Sequence, residues 1–298
     1  MNRFSYGLMI AAIPIAAIAV SLAIAPENLS DIGGSDSDIS DLSEPAGRDW
    51  LTNGGDWSNS RYSTLDQITR ENVSELKGAW VMHLGSGLGA KYSLEATPLV
   101  EDGIMYVTSG NNEVFAIDAA TGALIWEHKS HLDQTITTVC CGWNNRGAAM
   151  SEDKIFLGRL DGTLVALDKS NGEMLWQATI GRWQDGYTIT SAPLYHDGVI
   201  YTGIAGGDRA SRGKVVALDA ETGEENWLFW TAAGPGEIGG DTWPSPDDPD
   251  PLRAGAYLQG GSSVWQTPAI DPELGLVYFS TGNPGPDAGG VGANRPGD

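Results

Sequence analysis

The sequence predicts an all-β protein, a β-propeller of four-stranded blades, on three observations. A segment of the form Ala-x-Asp-x-x-(Thr/Asn)-Gly-x-x-x-Trp occurs three times, from Ala116 to Trp126, Ala166 to Trp176 and Ala217 to Trp227. Its tryptophans fall 50 and 51 residues apart, the period of propeller and solenoid repeats. The third observation is 40 glycines with no sustained helical period of apolar residues.

The chain opens with Arg3, an almost wholly apolar run from Leu8 to Ala23, and the small-x-small triplet Ala23-Ile24-Ala25. That order predicts an export signal over residues 1–25 and a periplasmic protein. The apolar run is 16 residues long, short of the roughly 20 that span a bilayer. Pro26, directly after the proposed cut, leaves an uncleaved membrane anchor as the alternative. Residues 26–48 are rich in Ser, Asp and Gly with isolated apolar side chains, which predicts a disordered acidic linker. The following residues, 49–298, are enough for one β-rich domain.

Within that domain Trp80, after Leu76-Lys77-Gly78-Ala79, reads as the end of an atypical first blade. Thr97 to Leu99 and Ile104 to Val107 flank Glu101-Asp102-Gly103, a hairpin turn. Ala148 to Met150 and Lys154 to Gly158 flank Ser151-Glu152-Asp153, and Ala192 to Tyr195 and Val199 to Gly203 flank His196-Asp197-Gly198. Each pair precedes one Trp-bearing segment, so each repeat contains four strands. In the repeat itself the Asp can accept from the backbone ahead of it and the Gly can take a positive φ. Thr267 to Ile270 with Leu276 to Ser280 opens a further blade. Trp80, Trp126, Trp176 and Trp227 are then structural residues that pack between blades.

With 39 acidic and 17 basic residues the formal charge is −22, which argues against nucleic acid and anionic lipid as partners. His83, His128, His131 and His196 are scattered without metal-ligand spacing and read as surface or turn residues. No Cys-x-x-Cys-His haem site, phosphate-binding glycine loop or serine-nucleophile motif is present. The two cysteines, Cys140 and Cys141, are adjacent. Ordinary disulfides need Cα atoms about 4.4 to 6.8 Å apart, while neighbours across a trans peptide sit at about 3.8 Å. A bridge would close a small strained ring, rigid enough to lie against a ligand. Two independent thiols are the other reading.

The Trp repeat, the vicinal cysteines followed by Asn145-Arg146-Gly147, and the opening Gly55-Asp56-Trp57 to Arg61-Tyr62-Ser63 with Leu65-Asp66-Gln67-Ile68 together resemble the pyrroloquinoline quinone (PQQ) dependent alcohol dehydrogenases. So does the run from Ser263-Val264-Trp265-Gln266 to Ser280-Thr281-Gly282-Asn283-Pro284. The resemblance implies an eight-bladed propeller, about half of it within this sequence, with PQQ in the central funnel. It implies a disulfide between Cys140 and Cys141 against one face of the quinone and Trp265 against the other. Arg146 would reach the quinone oxygens, and Glu95 and Thr190 would hydrogen-bond the cofactor. Asp208 and Asn283 would hold a calcium or lanthanide ion as Lewis acid.

Two departures from the family pattern stand out. Asp208 is one methylene shorter than the usual glutamate, and Ala205 replaces a serine that bonds PQQ. Without the family, Trp265 would read as a core residue and Glu95 and Thr190 as strand-edge residues. The implied activity is oxidation of a primary alcohol or related hydroxyl compound by hydride transfer to PQQ. Electrons would pass to a soluble cytochrome c or a fused haem domain. The family's general-base aspartate is expected beyond residue 298, so the sequence reads as an N-terminal fragment, inactive and aggregation-prone on its own. The competing function is a non-catalytic propeller, a binding or assembly scaffold of the cell envelope.

Overall fold

The computed structural model describes Ile39, 42–85, 92–137, Val139, 142–258 and 260–283. The export signal expected over 1–25, most of the linker, and Cys140 and Cys141 lie outside these residues. Four strands, β1 (Leu99–Glu101), β2 (Ile104–Thr108), β3 (Val114–Asp118) and β4 (Leu124–His128), form one antiparallel sheet in chain order. β5 (Ala149–Met150), β6 (Lys154–Gly158), β7 (Thr163–Asp168) and β8 (Met174–Thr179) repeat it, as do β9 (Leu194–His196), β10 (Val199–Gly203), β11 (Lys214–Asp219) and β12 (Glu225–Trp230). β13 (Ala269–Asp271) and β14 (Leu276–Tyr278) pair as the opening of a fourth. These are the blades read from the sequence, with the first strand starting two residues later than expected in the first, third and fourth blades and one later in the second.

The turns form for the expected reasons. Asp102-Gly103 and Asp197-Gly198 all have positive φ, as a two-residue hairpin turn of the right hand requires. In the three repeats, Asp118, Asp168 and Asp219 accept the main-chain N–H of Thr121, Ser170 and Thr222 at 2.8 Å. In each, hydrogen bonds from residues of its own turn hold the carboxyl below its ordinary pKa. A register shift follows the alanine of every copy, at Ala116/Ile117, Ala166/Leu167 and Ala217/Leu218. This bulge lets the turn curl toward the neighbouring blade.

The curl brings each repeat glycine under the tryptophan of the preceding blade. Trp80, Trp126 and Trp176 donate their indole N–H to the carbonyls of Ala119, Lys169 and Ala220 at 2.9, 3.0 and 3.1 Å. A Cβ on Gly122, Gly172 or Gly223 would sit 2.6, 2.5 or 2.7 Å from those same rings. The glycine therefore serves two purposes, positive φ and a flat seat for indole. Trp80 docks in this way although 76–84 form no ladder strand. Trp227 has no such seat among the described residues and stays 41% exposed.

Gly172→Ala is expected to cost about 2 to 4 kcal/mol, combining the left-handed backbone with overpacking against Trp126. Chemical denaturation should show a lower midpoint, while Glu173→Ala beside it changes stability by less than about 0.5 kcal/mol. An unchanged midpoint for Gly172→Ala would mean the seat is not under compression.

The third strand of each blade carries the core: β3, β7 and β11 are buried except for the terminal aspartate, while β4 and β8 are largely exposed. One apolar cluster joins the first and second blades through Leu99, Ile155 and Leu167, and another joins the second and third through Phe156, Ile200 and Val216. Two of the histidines read as surface or turn residues are half-buried instead. His128 hydrogen-bonds the Gly172 carbonyl through Nδ1 at 3.0 Å, and burial pushes its pKa down. His196 meets the Trp57 ring edge-on at 4.8 Å.

The described end of the expected linker is packed. Leu42 and Ala46 are buried, and the Leu42 carbonyl accepts the Trp57 N–H at 3.1 Å. The segment then pairs Trp50 with Val100 of β1, and the Trp57 carbonyl accepts the Ile270 N–H of β13 at 3.0 Å. It thus bridges the first strand of the first blade and that of the fourth.

Candidate functional site

Arg146 lies on a run pinned between the first two blades. The buried Asn145 accepts from the Thr108 hydroxyl at 2.7 Å and from the Gly147 N–H at 2.9 Å, and donates to the Gly158 carbonyl at 2.9 Å. Gly147, at φ +130°, allows the chain to pass within 3.0 Å of the Thr97 carbonyl, measured from where a Cβ would stand. The Arg146 main chain donates to the Thr190 carbonyl at 3.1 Å and accepts from Thr97 at 3.2 Å. With the backbone held from three sides, its guanidinium has a defined reach. It pairs with Glu95 at 2.9 Å and lies over the Trp265 ring, 4.8 Å from its centroid. Glu95 in turn accepts from Ser93 and Asn144, both at 3.3 Å.

Trp265 is placed from the other side of the same space. The main chain of Gly282 donates to Ser263 at 2.7 Å, and Ser262 donates to Asn283 at 3.0 Å, so the strand exit after β14 is zipped to the run before Trp265. A Cβ on Gly282 would stand 3.0 Å from the Trp265 indole nitrogen. A side chain there would press on the indole. Asn283, next in sequence, donates its amide N–H to Asp208 at 2.9 Å. Asp208 sits on a single tight turn, Gly207–Arg209, flanked by left-handed Gly206 and Ala210.

Glu95, Arg146, Thr190, Asp208, Trp265 and Asn283 line one cavity of about 370 Å³. These are all of the site residues read from the sequence that fall within the described residues. Their chain positions span 188 residues, from Glu95 to Asn283. The cavity offers a 36% exposed indole, a guanidinium, two carboxylates and an amide. No group of three His, Cys, Asp or Glu side chains is gathered among the described residues. A hard cation would therefore rely on the Asp208 carboxylate, the Asn283 amide oxygen and further oxygens from a ligand or water.

A family model for the PQQ-linked glucose/ethanol/alcohol dehydrogenase β-propeller domain matches residues 50–298. The chain belongs to this family. The dehydrogenase subunit of a quinone alcohol dehydrogenase from Komagataeibacter europaeus is 38% identical over 258 residues, covering 80% of this chain and 33% of that protein. The crystal structure of the quinohemoprotein alcohol dehydrogenase from Comamonas testosteroni superposes with a TM-score of 0.72 at 32% identity, covering 89% of this chain and 39% of that one. A europium-containing methanol dehydrogenase gives a TM-score of 0.71 at 33% identity, covering 84% and 45%. The chain thus spans about a third of the length of the curated relatives it matches.

The cavity has constituents that sequence reasoning missed. Asn144, 4% exposed, lines the cavity with its Oδ1 buried and without a partner. Ser263 and Val139 also line it. Asn144 stands within the cysteine run already singled out, but only the fold shows that it turns toward Glu95. Ala205, where the resemblance implies a serine, lines the cavity as well and brings no side-chain donor. Cys140 and Cys141, expected opposite Trp265, lie outside the described residues, although their neighbour Val139 is at the wall.

Proposed function

We propose that this chain supplies the N-terminal blades of an exported quinoprotein dehydrogenase that oxidises a primary alcohol or related hydroxyl compound. The observation that carries the reading is the convergence of six residues, chosen from the sequence for a quinone and its metal, on one cavity. A scaffold propeller leaves that convergence unexplained.

The donor set fits the group. Trp265 offers a flat face to a planar ring, Arg146 offers a planar fork to its oxygens, and the buried Asn144 Oδ1 awaits an N–H or O–H donor. Asp208 and Asn283, already touching, would hold calcium or a lanthanide through oxygen. PQQ, when bound, supplies the two-electron acceptor for the substrate's hydride, and the cation beside it supplies Lewis acidity. Glu95 anchors the Arg146 guanidinium at the wall so that its orientation is set before the ligand arrives. Glu95 and Asp208 are both engaged in these contacts, so the proton-accepting carboxylate of this reading comes from outside the described residues. Periplasmic location and a haem-bearing electron acceptor complete the proposal. They rest on the leader-like start of the sequence and on relatives named quinohemoproteins.

PQQ titrated into the purified chain with calcium or lanthanum ions present should quench tryptophan fluorescence saturably. Asp208→Ala should raise the half-saturating concentration about tenfold or more in the presence of metal, and have little effect in its absence. A folded chain that shows no saturable binding at millimolar PQQ would sink the reading.

A further inference from the structure

A second, polar cavity of about 440 Å³ adjoins the first, and Glu95, Arg146 and Trp265 line both. This second cavity adds Arg61, Asn53 and Asn59. The wall of the first is lined by one cation, Arg146, against two carboxylates, Glu95 and Asp208. Arg146 is already paired with Glu95. PQQ carries three carboxylates, and a metal at Asp208 would serve only one end of the ligand. The second cavity adds one more cation among the described residues, Arg61, and it pairs with no carboxylate among them. Its hydrogen bond is to the Asn53 amide oxygen at 3.1 Å, and Asn53 holds the Arg146 carbonyl at 3.0 Å.

The loop that carries Arg61 is built at a cost. Asn59 and Arg61 both hold left-handed backbones, at φ +57° and +55°; asparagine tolerates this region, but it costs Arg61 about 1 to 2 kcal/mol. Asp56 pays that strain back by accepting from the Ser60 N–H at 3.0 Å and from the hydroxyls of Ser58 and Ser60. The Asn59 amide nitrogen is anchored on the Pro268 carbonyl at 2.9 Å, and its buried oxygen has no partner. A multiply anchored loop that ends on an exposed, carboxylate-free arginine at a polar cavity suits a binding element.

We infer that Arg61 is a second anion-binding residue of the site, the counter-charge for a carboxylate of the quinone that projects past Arg146 into the polar cavity. The inference rests on the quinone reading above. It is tested by equilibrium dialysis of two probes, PQQ and its uncharged trimethyl ester, against the unaltered chain, Arg61→Gln and Arg61→Lys. Arg61→Gln should weaken PQQ about fivefold at low salt, as expected for an accessible charge pair, with the loss shrinking at high salt. Arg61→Lys should recover most of it, and the ester should bind all three alike. Equal weakening of both probes would make Arg61 a loop-holding residue and overturn the inference, as would unchanged PQQ affinity. An unaltered chain that binds neither probe would instead remove the quinone reading, and this inference with it.

Discussion

Phe156→Ala is expected to lower the unfolding free energy by about 3 to 5 kcal/mol, a large share of the 5 to 15 kcal/mol that domains possess. Phe156 on β6 is fully buried where the second and third blades meet. Its ring stacks on Tyr195 with centroids 5.8 Å apart and planes 12° from parallel, and lies 6.0 Å from Trp176. Truncation removes the contact that aligns two sheets whose backbones share no hydrogen-bond ladder. Neither sheet can close on the space without moving as a unit, so the cavity would persist. Guanidinium chloride melts followed by tryptophan fluorescence measure the loss. Leu175→Ala on the exposed face of β8 should stay within about 0.5 kcal/mol. If Phe156→Ala does not accumulate folded, Phe156→Leu should fold with a loss below about 1.5 kcal/mol. A loss under 1 kcal/mol for the alanine variant would show that the blades are held together elsewhere.

Trp265→Ala is expected to weaken PQQ binding by about 1 to 3 kcal/mol, the range for removing an aromatic platform beneath a planar heterocycle. That is about fivefold to 150-fold in affinity. The same change removes the surface on which the Arg146 guanidinium rests, leaving Glu95 to hold the cation alone among these two contacts. Trp265→Phe keeps a flat face and should recover part of the affinity. Because Trp265 is 36% exposed, folding should suffer less than from Phe156→Ala. Equilibrium dialysis with PQQ separates the effects, and a Trp265→Ala chain that binds PQQ as tightly as the unaltered one would refute the stacking role.

The two predictions show how differently the molecule can be read from its sequence. Phe156 sits in an ordinary apolar run, Lys154 to Gly158, and nothing in that run says which neighbour it stacks on. Trp265 stands outside the repeat register, and the resemblance of its run, Ser263-Val264-Trp265-Gln266, to the PQQ family is what sets it apart from Trp126 and Trp176. The repeat glycines lie between these cases. Their positive φ was legible from the Thr-Gly and Asn-Gly pairs, but their role as seats for indole was not, because the tryptophan comes from the preceding blade. His128 and His196 were misread for the same reason: burial at a blade junction depends on residues 44 positions ahead, at Gly172, or 139 behind, at Trp57.

By itself the sequence determined the blades and their turns and singled out the candidate site residues, because these depend on period, on backbone conformations that only glycine or a short polar side chain favours, and on motifs that persist along a chain. Only the tertiary structure decided which of those residues meet. It set Glu95 against Arg146, Arg146 over Trp265, Asn283 on Asp208, and Arg61 at the mouth of a second cavity. The first three contacts join segments 51 to 119 residues apart, and their geometry is set by how rigid sheets pack around a common axis, a property that no local stretch of sequence contains.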